Sequence, residues 1–288
     1  MKSTDTHGSA LVPALTAVGL CLAQCGCVAV NVRLADFMQA DHPPQSAALP
    51  RGYSVQNVLI HRGDRQIGIT HAHHPGSRVV IVYCGGDVFH RALHGGRVLQ
   101  ALTLGGEADV ILFDYPGYGE TSGSPTAAAL LETAYAVYDY AITLHTSGSK
   151  KHVIYGFSLG GMLAAQIARD RPVQGLVLEA TSPTVEQWAR SQIPLWAKPF
   201  IRPRVEPVLA GVNSTRSLAA FGGKVLVLAG DADQQAPAKL SAYMYRELRA
   251  AGVHARYEVL SAQHGQIMSK PEFSRLMRSF LAELEASR

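Results

Sequence analysis

The chain of 288 residues is poor in charge, in aromatic residues and in cysteine. Asp, Glu, Lys and Arg make up 17% of it, against 47% hydrophobic residues. Such a chain can bury a sizeable core, and a disordered polymer is excluded. The formal charge is only +4, and no run of Lys and Arg is dense enough to line a nucleic-acid groove. Nucleic acid is therefore not an expected partner. Of the four cysteines, Cys21, Cys25 and Cys27 crowd the first segment and Cys84 stands alone. No CxxC pair is joined to a second at zinc-site spacing. Without its first segment the chain keeps one thiol and cannot close an internal disulfide. No internal repeat is visible.

The shortage of charge is sharpest near the N-terminus. Residues 1–8 are polar, but from Ser9 to Val30 there is no charged residue. This pattern is that of a secretory signal. Cysteines at its end add the reading of a lipoprotein signal, with Cys27 (after the small Gly26) or Cys25 as the lipidated residue. The run is also long enough to cross a bilayer as one helix, although Pro13 and two glycines weaken that helix. Each reading puts the rest of the chain outside the cytoplasm, facing the periplasm or the cell exterior; they differ in whether it stays tethered, and membrane anchoring is expected. Residues 1–30 read as leader or anchor, 31–52 as a linker broken by Pro43, Pro44 and Pro50, and 53–288 as the folded domain.

That domain alternates strand and helix. Residues 53–61 and 67–73 pair as a hairpin across Arg62-Gly63-Asp64. Residues 78–84 (RVVIVYC) form a continuous apolar run, as expected for a strand covered on both faces. Further strands are predicted at 108–115, 152–157, 174–180, 224–230 and 255–260. Helices are predicted at 89–104, 125–146, 158–170, 237–252 and 271–287. The alternation predicts an α/β fold: a mostly parallel, doubly wound sheet behind an N-terminal antiparallel hairpin. Residues 181–223 interrupt it as a short cap insertion.

Gly156-Phe157-Ser158-Leu159-Gly160 fits G-x-S-x-G, with a strand before it and a helix after it. A serine on so sharp a turn needs flanking residues without side chains. The helix that follows points its N-terminus at the serine and favours negative charge there. Ser158 is the candidate nucleophile. In the loop after strand 224–230, Asp231 and Asp233 compete as the acid. Asp233 lies further into the loop, where it can turn back, and is preferred. His264 follows the last strand and is the candidate base. His71 and His73 share one face of a strand, but no third ligand is evident in sequence, so no metal site is expected.

With Phe113-Asp114-Tyr115-Pro116-Gly117-Tyr118-Gly119-Glu120-Thr121-Ser122-Gly123 ahead of the G-x-S-x-G motif, the chain resembles the α/β-hydrolase superfamily, in particular its small single-domain serine hydrolases. The resemblance spans about 53–287. It implies a Ser158–His264–Asp233 triad, an acyl-enzyme intermediate and no cofactor. It also implies an oxyanion hole from the backbone N–H groups of Leu159 and Gly86, with Asp87 as the alternative to Gly86. One motif departs: where the family has His-Gly-x, this chain has Cys84-Gly85-Gly86. Trp188, Trp196 and Phe200 in the cap, with Ile193, are candidates to line an acyl pocket or touch a membrane. The expected substrate is a small acyl ester or thioester. A peptide or amide cleaved by the same triad is one alternative, and a non-catalytic binding protein on the same fold is another.

Overall fold

A computed structural model describes residues 28–33, 49–144 and 150–286. The predicted leader up to Cys27, linker residues 34–48, and residues 145–146 and 287 at predicted helix ends lie outside the described residues. No helix among the described residues is long and apolar enough to cross a membrane.

The strands are β1 (Val28–Val32), β2 (Ser54–Arg62), β3 (Arg65–His73), β4 (Val79–Cys84), β5 (Ala108–Phe113), β6 (Lys151–Phe157), β7 (Gly175–Glu179), β8 (Ile201–Val205), β9 (Lys224–Gly230) and β10 (His254–Leu260). The longer helices are α1 (Arg91–Leu104), α2 (Ala127–Thr143), α3 (Leu159–Asp170), α4 (Val185–Gln192), α7 (Ala238–Ala250) and α8 (Pro271–Glu285). Two single turns, α5 (Pro207–Ala210) and α6 (Ser214–Ser217), lie in the cap.

The main sheet has eight strands in the order β10-β9-β7-β6-β4-β5-β3-β2. From β5 to β10 every pairing is parallel, while β3 runs antiparallel to both β2 and β5. The hairpin turns at Gly63, whose φ of +61° suits a residue without Cβ. The α/β architecture with its antiparallel start matches the sequence expectation. Several boundaries shift by one to three residues; at α2, Pro125 lies outside the helix, because the Thr126 hydroxyl caps it by accepting the Ala129 N–H at 3.1 Å.

Strand period two divides the core. On β4, Val80, Val82 and Cys84 face one layer, with Leu130, Val137 and Tyr138 of α2, Ile167 of α3 and Leu248 of α7. Val79, Ile81 and Tyr83 face the other, with Leu99 and Leu102 of α1 and Phe273, Met277 and Phe280 of α8. Burying each such side chain stabilises the fold by about 1.5–3 kcal/mol.

The cap contains a strand that the sequence reading missed. β8 pairs in parallel with β1, Val28 opposite Ile201 and Val32 opposite Val205. This ribbon straddles the boundary drawn at residue 30 between leader and linker. Val28–Val32 reads as the tail of an uncharged run, and Pro203 reads as a breaker. A two-stranded ribbon tolerates that proline because each strand has a free edge.

At the N-terminal ends of the strands, Asp109 is fully buried and ties three segments together. Its Oδ1 accepts from the His74 N–H at 2.9 Å, the Ser77 hydroxyl at 2.7 Å and lies 3.1 Å from His73 Nδ1. Its Oδ2 accepts from Lys150 Nζ at 2.8 Å. Burial opposes ionisation, but contacts with His71, Lys150, His74 and Ser77 outweigh it and hold the carboxyl well below the usual range. His71, His73 and Asp109 are close enough together to hold a cation. Asp109 on β5 is the third candidate ligand that was not evident in sequence, and its Oδ2 is already paired with the Lys150 ammonium at 2.8 Å. Asp109→Asn should lower unfolding free energy at pH 7 by about 3–5 kcal/mol, because it strands a largely buried ammonium. Urea unfolding followed by circular dichroism measures this, and a change below 1 kcal/mol refutes the reading of a buried ion pair.

Candidate active site

The site lies at the C-terminal ends of the parallel strands. Ser158 sits between β6 and α3 with φ 52° and ψ −118°, a conformation that side chains rarely adopt. The surrounding contacts hold it there. Its N–H donates to Glu179 O at 2.9 Å, and its carbonyl accepts the Gly161 N–H at 3.0 Å and the Thr181 hydroxyl at 2.7 Å. The glycines are sterically required. A Cβ on Gly156 would fall 2.5 Å from Gly161 Cα, and one on Gly160 would fall 2.0 Å from the Cys84 carbonyl oxygen.

The two candidate acids are engaged differently. Asp233 Oδ2 lies 2.8 Å from His264 Nδ1, while its Oδ1 accepts the N–H groups of Gln235 at 2.9 Å and Ala236 at 2.7 Å. Asp231 instead ties down the loop before His264, accepting from the Ala262 N–H and the Ser261 hydroxyl, both at 3.2 Å. A carboxylate on Nδ1 leaves Nε2 bare to take a proton. The His264 ring packs on Phe157, the neighbour of Ser158 in the chain, at 4.9 Å between centroids. The structure thus joins Asp233 to His264 and sets the His264 ring against the residue before Ser158.

Gly86 also reaches this corner, since a Cβ added there would lie 3.5 Å from Ser158 Cβ. Leu159 opens α3, so its N–H belongs to the unpaired first turn. The Gly85–Asp87 turn is braced by the Phe113–Gly123 segment. Tyr115 donates to Gly85 O at 2.7 Å and Tyr118 to Asp87 O at 3.3 Å. Asp114 in the same segment accepts the Arg91 N–H at 2.7 Å and its Nε at 3.1 Å, pinning the start of α1. Burial pushes the Asp87 carboxyl up toward its neutral form, opposed by nearby His264. Cys84, where the family has histidine, is wholly buried, and burial pushes its thiol up to about 12. It is a packing residue of the core.

A cavity of about 610 Å³ opens from Gly86, Phe157 and Gly265. It runs between Val98, Ala101 and Leu104 of α1 and Met268 and Pro271 after β10, over Tyr83 and Glu179. The cap aromatics do not line it. Trp188 is half-buried, and its indole N–H donates to Gln235 O at 2.8 Å, joining the cap to the Asp233 loop. Ile193 packs inside the cap, whereas Trp196 and Phe200 are exposed.

Sequence reasoning missed Glu179, a fully buried carboxyl on this cavity bonded to the Tyr155 hydroxyl at 2.5 Å. Its one signal was an acid at the end of the apolar strand GLVLE. Burial raises its pKa from 4.5 to about 7, with Tyr155 and His264 partly offsetting this and Asp233 adding to it.

A family profile described as α/β-hydrolase fold matches residues 78–204. The match marks the α/β-hydrolase fold over that span. An uncharacterised protein of Mycobacterium tuberculosis is 28% identical over 220 residues, covering 76% of this chain and 74% of that protein. The lysophosphatidylserine lipase of Gallus gallus is 26% identical over 227 residues, covering 71% of this chain. The chain spans 58% of that lipase's length. Among solved structures, an esterase of Pyrococcus furiosus superposes with a TM-score of 0.65 at 18% identity, covering 85% of this chain and 100% of the esterase. The chain therefore has the α/β-hydrolase fold that this esterase shares.

Glu179 supplies a pH test. Below about 4.5 it is protonated in both folded and unfolded chain; as pH rises to about 7 only the unfolded chain ionises readily, so the folded state loses stability. Replacing Glu179 with Gln removes that loss. The stability gap between variant and wild type should grow from pH 4.5 to 7 by an amount on the order of 3 kcal/mol, then level off. Thermal melts across this range measure it; a gap that does not change with pH counts against the assignment.

Proposed function

We propose that the protein is a serine hydrolase acting on a carboxylic ester or thioester with an acyl chain. The observation that carries this reading is the Asp233–His264 bond of 2.8 Å, with the His264 ring packed against Phe157, the neighbour of Ser158. In the proposed reaction Ser158 Oγ attacks the acyl carbonyl while His264 takes its proton. The carbonyl oxygen gains negative charge, met by the backbone N–H groups of Leu159 and Gly86 at the start of α3 and the end of β4. His264 then protonates the departing alcohol or thiol, leaving an acyl-enzyme. Water activated by His264 releases the acid. No cofactor takes part in these steps.

The acyl chain is assigned to the cavity beside α1, whose apolar walls begin at Gly86 and Gly265. Arg97 and Lys270 on its lining suit an anionic group on the substrate. The similarity to a lysophosphatidylserine lipase supports a lipid ester. Export and anchoring through Ser9–Val30, by a lipidated Cys27 or Cys25 or by a helix, would put such an enzyme beside lipid.

A fluorophosphonate probe should label the wild type near stoichiometrically, and Ser158→Ala should lose the label. In a p-nitrophenyl ester assay, Asp233→Ala should lower kcat by about three to four orders of magnitude, since His264 loses its oriented tautomer. Asp231→Ala should stay within about tenfold of wild type, because only loop hydrogen bonds go. An unlabelled wild type, or the reverse order of the two aspartates, sinks the triad assignment. Ala101→Trp should fill the cavity and lower kcat/KM for long acyl chains about tenfold, roughly 1.4 kcal/mol, while sparing acetate esters. Equal losses on short and long esters would place the acyl chain elsewhere.

A further inference from the structure

The cap turn after α4 holds large apolar side chains out into solvent. Leu195 is 82% exposed, Trp196 65% and Phe200 52%. This is not a loose loop. The Ala197 and Lys198 N–H groups both donate to Pro194 O, at 2.9 and 3.2 Å, and the Phe200 N–H donates to Ala197 O at 3.0 Å. Ala197 is thereby turned inward, against Ile193 and Ile201, and its neighbours outward. A rigid turn that presents Leu, Trp and Phe together marks a contact surface, since a chain this rich in apolar residues can bury them elsewhere.

Cations flank the turn. Arg202 and Arg204 are exposed along β8, and Lys198 is half-buried within the turn. Residues 181–223 contain Arg190, Lys198, Arg202, Arg204 and Arg216 against only Glu186 and Glu206, so most of the chain's +4 resides in the cap. The β1–β8 register adds the deciding constraint. Val28 sits opposite Ile201, so the uncharged run that ends at Val30 joins the fold beside Phe200. Val32, at the other end of β1, is 2% exposed in the main core, which fixes the ribbon to the domain.

We propose that the cap turn Leu195–Phe200, with Arg202 and Arg204, is a docking surface for an anionic phospholipid bilayer. The same membrane holds the uncharged N-terminal run. Apolar side chains enter the boundary between headgroups and acyl chains, Trp196 takes the interfacial position that indoles favour, and the arginines meet lipid phosphates. The point where the chain enters the fold at Val28 and the surface lie at one end of the β1–β8 ribbon, so tethering through that end presses the cap onto the membrane and fixes the protein's orientation. A second copy of the chain or another protein would explain the exposed aromatics, but not their placement where the uncharged run enters the fold. The surface is independent of the catalytic reading, and its test uses no activity.

The test is fluorescence of the full chain reconstituted into vesicles of phosphatidylcholine with phosphatidylglycerol, and of phosphatidylcholine alone. Brominated lipids carry the quencher just below the headgroups. Trp196→Phe isolates the contribution of Trp196, because the Trp188 signal is common to both proteins. The wild type should show a blue-shifted emission quenched by the bromolipids, and Trp196→Phe should lose that shifted, quenched part. Arg202→Ser with Arg204→Ser should reduce quenching on the anionic vesicles and leave it unchanged on phosphatidylcholine. Protein that floats with the vesicles while its Trp196 emission neither shifts nor is quenched overturns the proposal. Wild-type protein that stays in the soluble fraction overturns it too. Trp196 shielding that tracks protein concentration and needs no lipid assigns the surface to a second copy and equally overturns it.

Discussion

The site depends on the close approach of three backbones around Ser158. The ends of β4 and β6 and the first turn of α3 meet at distances that leave no room for a Cβ on Gly156 or Gly160. That contact forces Ser158 to a φ of 52° and holds its side chain at the N-terminus of a helix. A positive φ in a non-glycine residue costs on the order of 1–3 kcal/mol. Hydrogen bonds from Thr181 and to Glu179 hold the strained carbonyl and N–H in place.

Around this point the rest of the site is assembled by long-range polar contacts. Asp233 reaches His264 from the neighbouring strand's loop, and Asp231 fixes the loop that carries His264. Tyr115 and Tyr118 brace the Gly85–Asp87 turn, and Asp114 braces the helix that walls the cavity. The conspicuous Phe113–Gly123 segment is therefore scaffolding. The loss of the usual histidine at position 84 leaves that scaffolding intact, because the tyrosines bond to backbone carbonyls. Beneath it, Tyr83, Tyr155 and Glu179 make a buried polar floor next to apolar walls. Burial disfavours the charged form of a carboxyl there and pushes its pKa up to about 7.

The cap divides two tasks that its aromatic residues seemed to share. Its inner side, through Trp188 and Gln192, is tied to Gln235 in the acid loop. Its outer turn leaves Trp196 and Phe200 away from the cavity. Pairing of β8 with β1 connects that outer turn to the chain's N-terminal run.

Much of the fold was legible in the order of residues. Strand and helix periods, the apolar run at 78–84 and the alternation along the chain determined a parallel sheet with an antiparallel start, because those signals are local and repeat. The motif around Ser158 and the order of aspartate and histidine behind it were equally local. Other features depend on partners distant in the chain. Whether Asp231 or Asp233 meets His264 is set by how two loops cross, not by either loop. The β1–β8 ribbon joins segments some 170 residues apart, each unremarkable alone. The cavity wall comes from α1 and the turn after β10 rather than from the aromatic cap, because volume is created between elements and no residue encodes it. Glu179 was an ordinary acid at a strand end until packing buried it. Sequence alone marked Ser158 and the glycines its turn requires; tertiary structure decided what holds and surrounds it, since desolvation and close approach exist only once distant segments meet.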